Sequence, residues 1–310
     1  MNDFKQQLIE ATQSLRTIRD YIRFMVSSFE KYNLSYGHGT SNPYDEAVYL
    51  TLAALHLPIH QLDPHLDAKL LDSEIKDLIA VCEKRVIQRL PAPYITNDAY
   101  FLGYKFYVDT RVIIPRSYIA EILLDGRLDE FIEHQELVHN ILDLCTGNGS
   151  LAIIAADYFY DSHVVASDID HDALAVAKIN IATYNHSDAI ELHHSNLFEN
   201  LTNFKHTFDL ILTNPPYVDD LRMATMPQEY LHEPHLSLAG GENGLTLIDN
   251  ILKNARDYLN NFGVLVVEMG DNKQEIEKTY PDLNFKWLEN NDGNGFIFVL
   301  TKQDLDNYFK

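Results

Sequence analysis

Four consecutive residues, Asn214-Pro215-Pro216-Tyr217, close an apolar run from Phe208 to Thr213. They offer hydrogen-bond acceptors in a stiff frame. Proline keeps its carbonyl but has no N–H, and its φ is fixed. The segment therefore presents carbonyls in a set arrangement, with the Asn214 side-chain oxygen as a further acceptor. A planar nitrogen carrying two N–H donors matches such a surface. The lone pair of an amide or exocyclic amine is spread into its π system, so the nitrogen attacks poorly unless it is aimed. Holding both N–H bonds aims it at an activated methyl carbon, and orientation of this kind supplies roughly 7–11 kcal/mol in good cases. Tyr217 adds an aromatic wall for a planar group. A plain strand-to-loop exit is the competing reading of an Asn-Pro step.

A second group of residues points to a nucleoside. "NILDLCTGNGSLAIIAA" reads as a strand, a loop with Gly147 and Gly149, and a helix. The two glycines let the backbone bend sharply and approach a ligand closely. Asp168 ends the next strand-like run, "HVVASDID", where a carboxylate can accept hydrogen bonds from ribose hydroxyls. G-x-G-x-x-A can be traced through Gly147, Gly149 and Ala152, so NAD is a competitor. Asp143, immediately before the loop, argues the other way. An anion there suits an ammonium group better than a pyrophosphate, and S-adenosylmethionine carries an ammonium and no phosphate.

Strands and helices must position these residues. From about residue 138 apolar strand-like runs alternate with helical ones: Val138–Leu144, Val164–Ser167, Ile190–His193, Phe208–Thr213 and Val264–Glu268. This alternation predicts a mostly parallel α/β sheet covered on both faces. A helix after Gly244 carries Leu245, Ile248, Ile251, Leu252, Ala255 and Leu259 on one apolar face. "FKWLENNDGNGFIFVL" predicts a terminal antiparallel hairpin.

Upstream, residues 3–32 read as one helix on the period of Phe4, Leu8, Leu15, Ile18, Ile22 and Met25. Further helices are expected over Asp45–His56 and from a cap at Ser73 to Leu90. Residues 99–115 read as a hairpin turning near Asp109, and Ser117 is available to cap the following helix. The expected organisation is a small all-helical substrate-docking domain (1–95), a β-hairpin linker (96–116) and a catalytic domain (117–310).

The net charge of −22 is uneven: residues 141–310 carry 26 Asp and Glu against 10 Lys and Arg. Phosphate backbones are bound by Lys and Arg, so no direct nucleic-acid substrate is expected. A basic protein partner would instead be attracted. No apolar run is long enough for a membrane span, and the polar start "MNDFKQQLIE" does not read as a secretory leader. A cytoplasmic location is expected. The only cysteines, Cys82 and Cys145, form no C-x-x-C pair, which fits a reducing compartment. The pair His193-His194 lacks the spacing of a metal motif, so no metal site is expected.

The combination of "NPPY" after an apolar strand with "DLCTGNGS" and "SDID" upstream resembles the class I S-adenosylmethionine-dependent N-methyltransferases, a Rossmann-like mixed sheet with a terminal antiparallel hairpin. "RVIIPRSYIAEIL" and "HEPHLSLAGGENGL" are similar to the protein-glutamine N5-methyltransferase family. "YGHGTSNPYDEA" looks like its branch acting on large-subunit ribosomal protein three rather than on peptide-chain release factors. The resemblance covers nearly the whole chain. NPPY alone is less specific, because nucleic-acid amine methyltransferases share it.

The resemblance implies that Asp143, Gly147 and Gly149 hold the methionine part of the cofactor, with Thr146 of the same loop and Asn214 also counted among the cofactor-binding residues. It places Asp168 on the ribose, and Asn196 and Leu197 where adenine is gripped. It assigns the glutamine amide to the Asn214 side chain and the Pro215 carbonyl within the Asn214–Tyr217 turn, with Tyr217 packing on it. The chain departs from the family pattern at Asn196, where aspartate is common, and at Tyr118, where proline is common. Arg116 is a candidate for a cofactor or substrate carboxylate, or for an ion pair. A non-catalytic assembly factor keeping the cofactor fold is the alternative from another class.

Overall fold

The computed structural model of the chain describes residues 2–132, 134–241 and 243–310. The chain forms two compact units. The first takes Met1–Tyr100, Val108–Thr110 and Pro227–His232; the second takes Phe101–Tyr107, Arg111–Met226 and Glu233–Lys310. No helix among the described residues is long and apolar enough to cross a membrane.

The first unit is built from α1 (Asn2–Ser14), α2 (Ile18–Lys31), α3 (Pro43–Ala54), α4 (Asp72–Val86) and the short α5 (Ala92–Thr96). Its core gathers Phe4, Leu8, Ile22, Met25, Phe29, Leu50, Ile75 and Leu78. The single helix expected over residues 3–32 is two. Thr17 is extended and accepts from the Asp20 N–H, while the Asp20 carboxylate accepts from the Thr17 N–H. This reciprocal cap starts a new helix, although the apolar period runs on across the break. Leu71, not Ser73, precedes α4, and the Glu74 carboxylate accepts from its N–H at 2.7 Å.

A buried charge cluster ties Pro227–His232 into this unit. The Arg85 guanidinium, 1% exposed, meets Glu46 at 2.6 Å and Glu229 at 3.1 Å, and donates to the Ser35 carbonyl at 2.7 Å. Arg89 reaches Glu229 at 2.9 Å, and the Ser35 N–H donates to Glu229 at 3.0 Å. Burial pushes the Glu229 carboxyl up, but the Ser35 amide, its own backbone and Arg85 outweigh it and hold it below the usual range.

The hairpin consists of β1 (Asp98–Phe101) and β2 (Tyr104–Tyr107), paired as a two-stranded sheet. Its turn is at Leu102-Gly103, both at positive φ, and not near Asp109 as the residue pattern suggests. Gly103 takes the left-handed backbone without strain, which outweighs the turn propensity of Asp109.

The second unit opens with α6 (Tyr118–Leu124), whose N-cap Ser117 accepts from the Ile119 N–H. There follow β3 (Asn140–Leu144), α7 (Ser150–Tyr158), β4 (His163–Asp168), α8 (His171–Thr183), β5 (Ile190–His194) and β6 (Phe208–Thr213). Next come β7 (Val218–Asp219), α9 (Asp220–Thr225), β8 (Ala239–Gly241), α10 (Thr246–Asn254) and β9 (Leu259–Glu268). The last elements are α11 (Lys273–Thr279), β10 (Lys286–Leu288), β11 (Ile297–Thr301) and α12 (Lys302–Tyr308). Leu259, expected on the helix after Gly244, instead opens β9.

Seven strands form one sheet in the order β10-β11-β9-β6-β3-β4-β5. The last five in that order are parallel, and β11 is antiparallel to both neighbours. Successive side chains of a strand face opposite sides. Ile141, Leu210, Leu212, Val264 and Val266 accordingly pack with α6 and α7, while Leu142, Leu144, Ile211, Leu265 and Val267 pack with α10 to α12. The order reverses at β3: β4 and β5 build outward on one side and β6 and β9 on the other. Ligands of such sheets sit beyond the strand carboxyl ends at that switch.

Removing Glu229 leaves Arg85 buried without one of its counter-charges, a change that typically costs about 3–5 kcal/mol. Glu229→Ala is therefore expected to lower the thermal stability of the protein markedly. A melting curve superimposable on that of the unmodified protein would show that the cluster contributes no stability.

Candidate active site

Parallel register sets the site. Leu144 pairs with Thr213 across β3 and β6, and Leu144 with Ser167 across β3 and β4. The chain therefore leaves all three strands at one edge. The Thr213 hydroxyl donates to the Leu144 carbonyl at 2.8 Å and locks the exit of β6 beside that of β3. Asn214 emerges next to the loop from Cys145 to Gly149.

That loop is tightly held. Gly147 and Gly149 both have positive φ, and Cys145 does too at 65°. A Cβ on Gly149 would come within 3.2 Å of the Ala177 methyl. The Thr146 hydroxyl donates to the buried Asp143 carboxylate at 2.5 Å, and the Thr146 N–H to the Ser167 carbonyl at 2.9 Å. Asp143 thus braces the loop from beneath. Burial, opposed by the Thr146 hydroxyl and the Ala152 N–H, pushes its carboxyl up to about 7.

Asp168 accepts from the Gly147 N–H at 2.9 Å and from the Asp170 N–H at 3.0 Å, so the glycine loop and the acid at the end of β4 meet directly. A carboxylate has about four acceptor sites, so Asp168 keeps capacity to accept from a ligand hydroxyl. Burial raises its pKa against the hydrogen bonds from Asp170 and Gly147.

Asn196 and Leu197 follow β5 on the same edge. The Ser195 N–H donates to the Asp168 carbonyl at 2.9 Å, and Leu197 is buried at a positive φ of 47°. The Asn196 side chain donates to Glu199 at 2.9 Å and leaves its own oxygen as an acceptor. Two buried polar atoms in this region, Ser167 Oγ and Asn148 Nδ2, have no hydrogen-bond partner among the described residues. Unpaired buried polar groups are costly, and a polar ligand at this edge would satisfy them. The donor and acceptor set fits a nucleoside carrying an amino acid.

The Asn214–Tyr217 turn is braced by residues to which the sequence assigns no such role. The Tyr217 hydroxyl faces Glu268 at the end of β9, at 3.4 Å. The other Glu268 oxygen accepts from the Ser117 hydroxyl and the Tyr118 N–H, both at 2.8 Å. Asn272 donates to the Tyr217 carbonyl at 2.9 Å. A Cβ on Gly270 would stand 2.6 Å from the Tyr217 ring, and one on Gly244 would stand 2.3 Å from its carbonyl. Burial raises the Tyr217 phenol far above its ordinary value, so it stays protonated. Pro215 is buried and Asn214 half-buried. The Asn214 amide has no hydrogen-bond partner among the described residues. Arg116 forms a two-pronged ion pair with buried Glu233, at 2.6 and 2.7 Å.

A seven-stranded sheet reversing at β3 with an antiparallel β11, a glycine loop after β3, an acid after β4 and Asn-Pro-Pro-Tyr after β6 define a class I, Rossmann-like methyltransferase. Residues 128–241 match the family model "Methyltransferase small domain". A curated relative from Neisseria gonorrhoeae, named ribosomal protein uL3 glutamine methyltransferase, is 50% identical over 296 residues, covering 96% of this chain and 98% of that one. A relative of the same name from Burkholderia pseudomallei is 45% identical over 295 residues, covering 94% and 96%. A solved methyltransferase structure from Pyrococcus furiosus is 18% identical with a TM-score of 0.47, covering 65% of this chain and 90% of that one. The chain belongs to the ribosomal protein uL3 glutamine methyltransferase family.

The buried acids make stability depend on pH. Burial raises Glu268 from an ordinary 4.5 to about 7, and Asp143 from 3.8 to about 7. The folded state therefore binds more protons than the unfolded one between those limits, and stability falls as pH rises through that window. Glu268→Gln removes one of these contributions. Its melting temperature is expected to decline less between about pH 4.5 and 7 than that of the unmodified protein. An equal or steeper decline would mean that Glu268 ionises as readily in the fold as outside it.

Proposed function

We propose that the protein transfers a methyl group from S-adenosylmethionine to the side-chain amide nitrogen of a glutamine in ribosomal protein uL3. The observation that carries this reading is the exit of Asn214 beside the glycine loop, with its amide unpaired and its turn braced by Glu268 and Asn272. The named activity of the relatives supports the same substrate.

Gly147 and Gly149 would let the backbone approach the amino-acid end of the cofactor, with Thr146 and Asp143 keeping the loop in shape. Asp168 would accept from the ribose hydroxyls, and Asn196 and Leu197 would border the base. When bound, the cofactor supplies a methyl on a positively charged sulfur that leaves as a neutral thioether. The Asn214 side-chain oxygen and the Pro215 carbonyl would each accept one N–H of the substrate amide. Pro216 would stiffen the turn, and the Tyr217 ring would pack on the amide plane. With both N–H bonds held, the nitrogen lone pair is directed out of the turn. The chemistry the cofactor would supply is a methyl whose C–S bond would break as the N–C bond formed, with Asn214 and Pro215 holding the nitrogen in line. The methylated nitrogen is then strongly acidic and gives its proton to water, so no strong base is required. The Tyr217 phenol, kept protonated by burial, serves as wall rather than base.

The strong negative charge of the second half of the chain favours a basic protein over a nucleic acid. The helical unit, which carries no catalytic motif, would dock the substrate, and a cytoplasmic location follows from that substrate.

Tandem mass spectrometry of uL3 incubated with the protein and the cofactor is expected to place one methyl on a glutamine side chain. A methyl on lysine, or none, would contradict the reading. In the same assay Asn214→Ala is expected to reduce turnover by on the order of a hundredfold or more, with cofactor affinity by calorimetry little changed. Undiminished turnover would remove Asn214 from its assigned role.

A further inference from the structure

The stretch "YGHGTSNPYDEA" has no part in the catalytic chemistry, yet its two sides do different work within the helical unit. One side is anchored to Pro227–His232. Glu46 binds Arg85, a Cβ on Gly37 would stand 2.5 Å from the Tyr230 hydroxyl oxygen, and the His38 and Tyr230 rings lie 4.3 Å apart. The other side lines a cavity of about 330 Å³. That is near the lower end of ligand pockets, roughly 300–1,000 Å³, and suits one or two side chains.

The lining joins apolar residues, Val48, Ile59, Leu62, Ala92 and Pro93, to aromatic and acidic ones. Tyr44, Tyr49 and Tyr100 are its tyrosines and Asp45 and Asp98 its acidic residues, while no Lys or Arg among the described residues lines the cavity. Tyr49 is fixed by its hydroxyl, which contacts Thr96 Oγ1 at 2.7 Å and donates to the Asp98 carbonyl at 2.9 Å. Its ring meets that of Tyr100 edge-on at 6.1 Å. Tyr44 and Tyr100 are 53% and 40% exposed. The Asp45 carboxylate accepts from the Asn42 amide at 2.7 Å and is otherwise open to solvent. Tyrosine faces attract a cation electrostatically, and Asp45 adds a counter-charge.

We propose that this cavity is a docking subsite for an arginine or lysine side chain of the protein substrate, placed away from the methylated glutamine. The inference rests on the methylation reading for the identity of that substrate. Ribosomal proteins grip RNA phosphates with Lys and Arg, so they carry such side chains in abundance. The net charge of −22 draws a basic partner in, and the rings with Asp45 fix one of its cations. The anchoring through Arg85 and Glu229 preorganises the loop, which lowers the cost of binding.

The test compares Tyr44→Ala and Asp45→Asn with the unmodified protein. Asn at 45 keeps an acceptor for Asn42 but removes the charge. Both positions are exposed, and unchanged melting curves establish that both variants fold. With intact uL3, each variant is expected to raise KM by on the order of tenfold with kcat unchanged. Asp45→Asn is also expected to weaken the salt dependence of KM. Calorimetric binding of uL3 without cofactor should show the same loss of affinity. Wild-type KM and affinity in folded variants would overturn the proposal, as would a loss confined to kcat. If the unmodified protein binds uL3 but does not methylate it, the catalytic reading fails while the subsite is still judged by the binding arm.

Discussion

No side chain larger than hydrogen fits beside Tyr217 at Gly240, Gly244 or Gly270, where an added Cβ would lie 2.3–2.8 Å from Tyr217 atoms. Contacts that short are essentially repulsive, so two stretches of backbone, one holding Gly240 and Gly244 and the other Gly270, close on the residue with almost no slack. Glu268 and Asn272 complete the enclosure from the end of β9 and the segment after it. The preceding Asn-Pro-Pro has its own φ values restricted by the rings. The turn is thus fixed from inside by proline and from outside by packing. A weak nucleophile such as an amide gains most from this kind of fixed orientation, since the catalytic contribution lies in position rather than in proton removal.

The same edge of the sheet concentrates buried and half-buried carboxyls. Asp143 lies under the glycine loop, Asp168 at the end of β4 and Glu268 at the end of β9, and burial raises all three. Each spends hydrogen-bonding capacity on shaping a neighbouring backbone turn: Asp143 through Thr146, Asp168 through Gly147, Glu268 through Tyr118. Their first service is therefore to geometry. A cationic ligand arriving at this edge would also favour their ionised forms, which couples ligand binding to the charge state of the fold.

The parts legible in the sequence were those with local causes. The apolar runs of β3 to β6, the glycine loop, the cap at Ser117 and the terminal hairpin each announce themselves within a few residues. Asp168 meets Gly147 as the motif spacing requires. What escaped notice has distant or ambiguous causes. The break between α1 and α2 hides because Leu15 and Ile18 keep the helical period through it. Leu259 continues an apolar helix face in register but pairs with Phe208 as a strand. The brace on Tyr217 comes from residues some 20 to 55 positions downstream, and Glu229 binds Ser35 and Arg85, more than 100 positions upstream. Neither leaves a local pattern. Glu268 reads in sequence as the end of an apolar strand, and only its partners show why an acid is there.

The account depends on the Asn214–Tyr217 turn holding a planar amide against an activated methyl donor. A crystal structure of the protein with S-adenosylhomocysteine and a glutamine-containing uL3 peptide measures this most directly. The amide nitrogen is expected to bond to the Asn214 side chain and the Pro215 carbonyl, with its lone pair facing the cofactor sulfur and space for one methyl between them. An amide bound elsewhere, or a sulfur on the far side of the glycine loop from Asn214, would contradict the account.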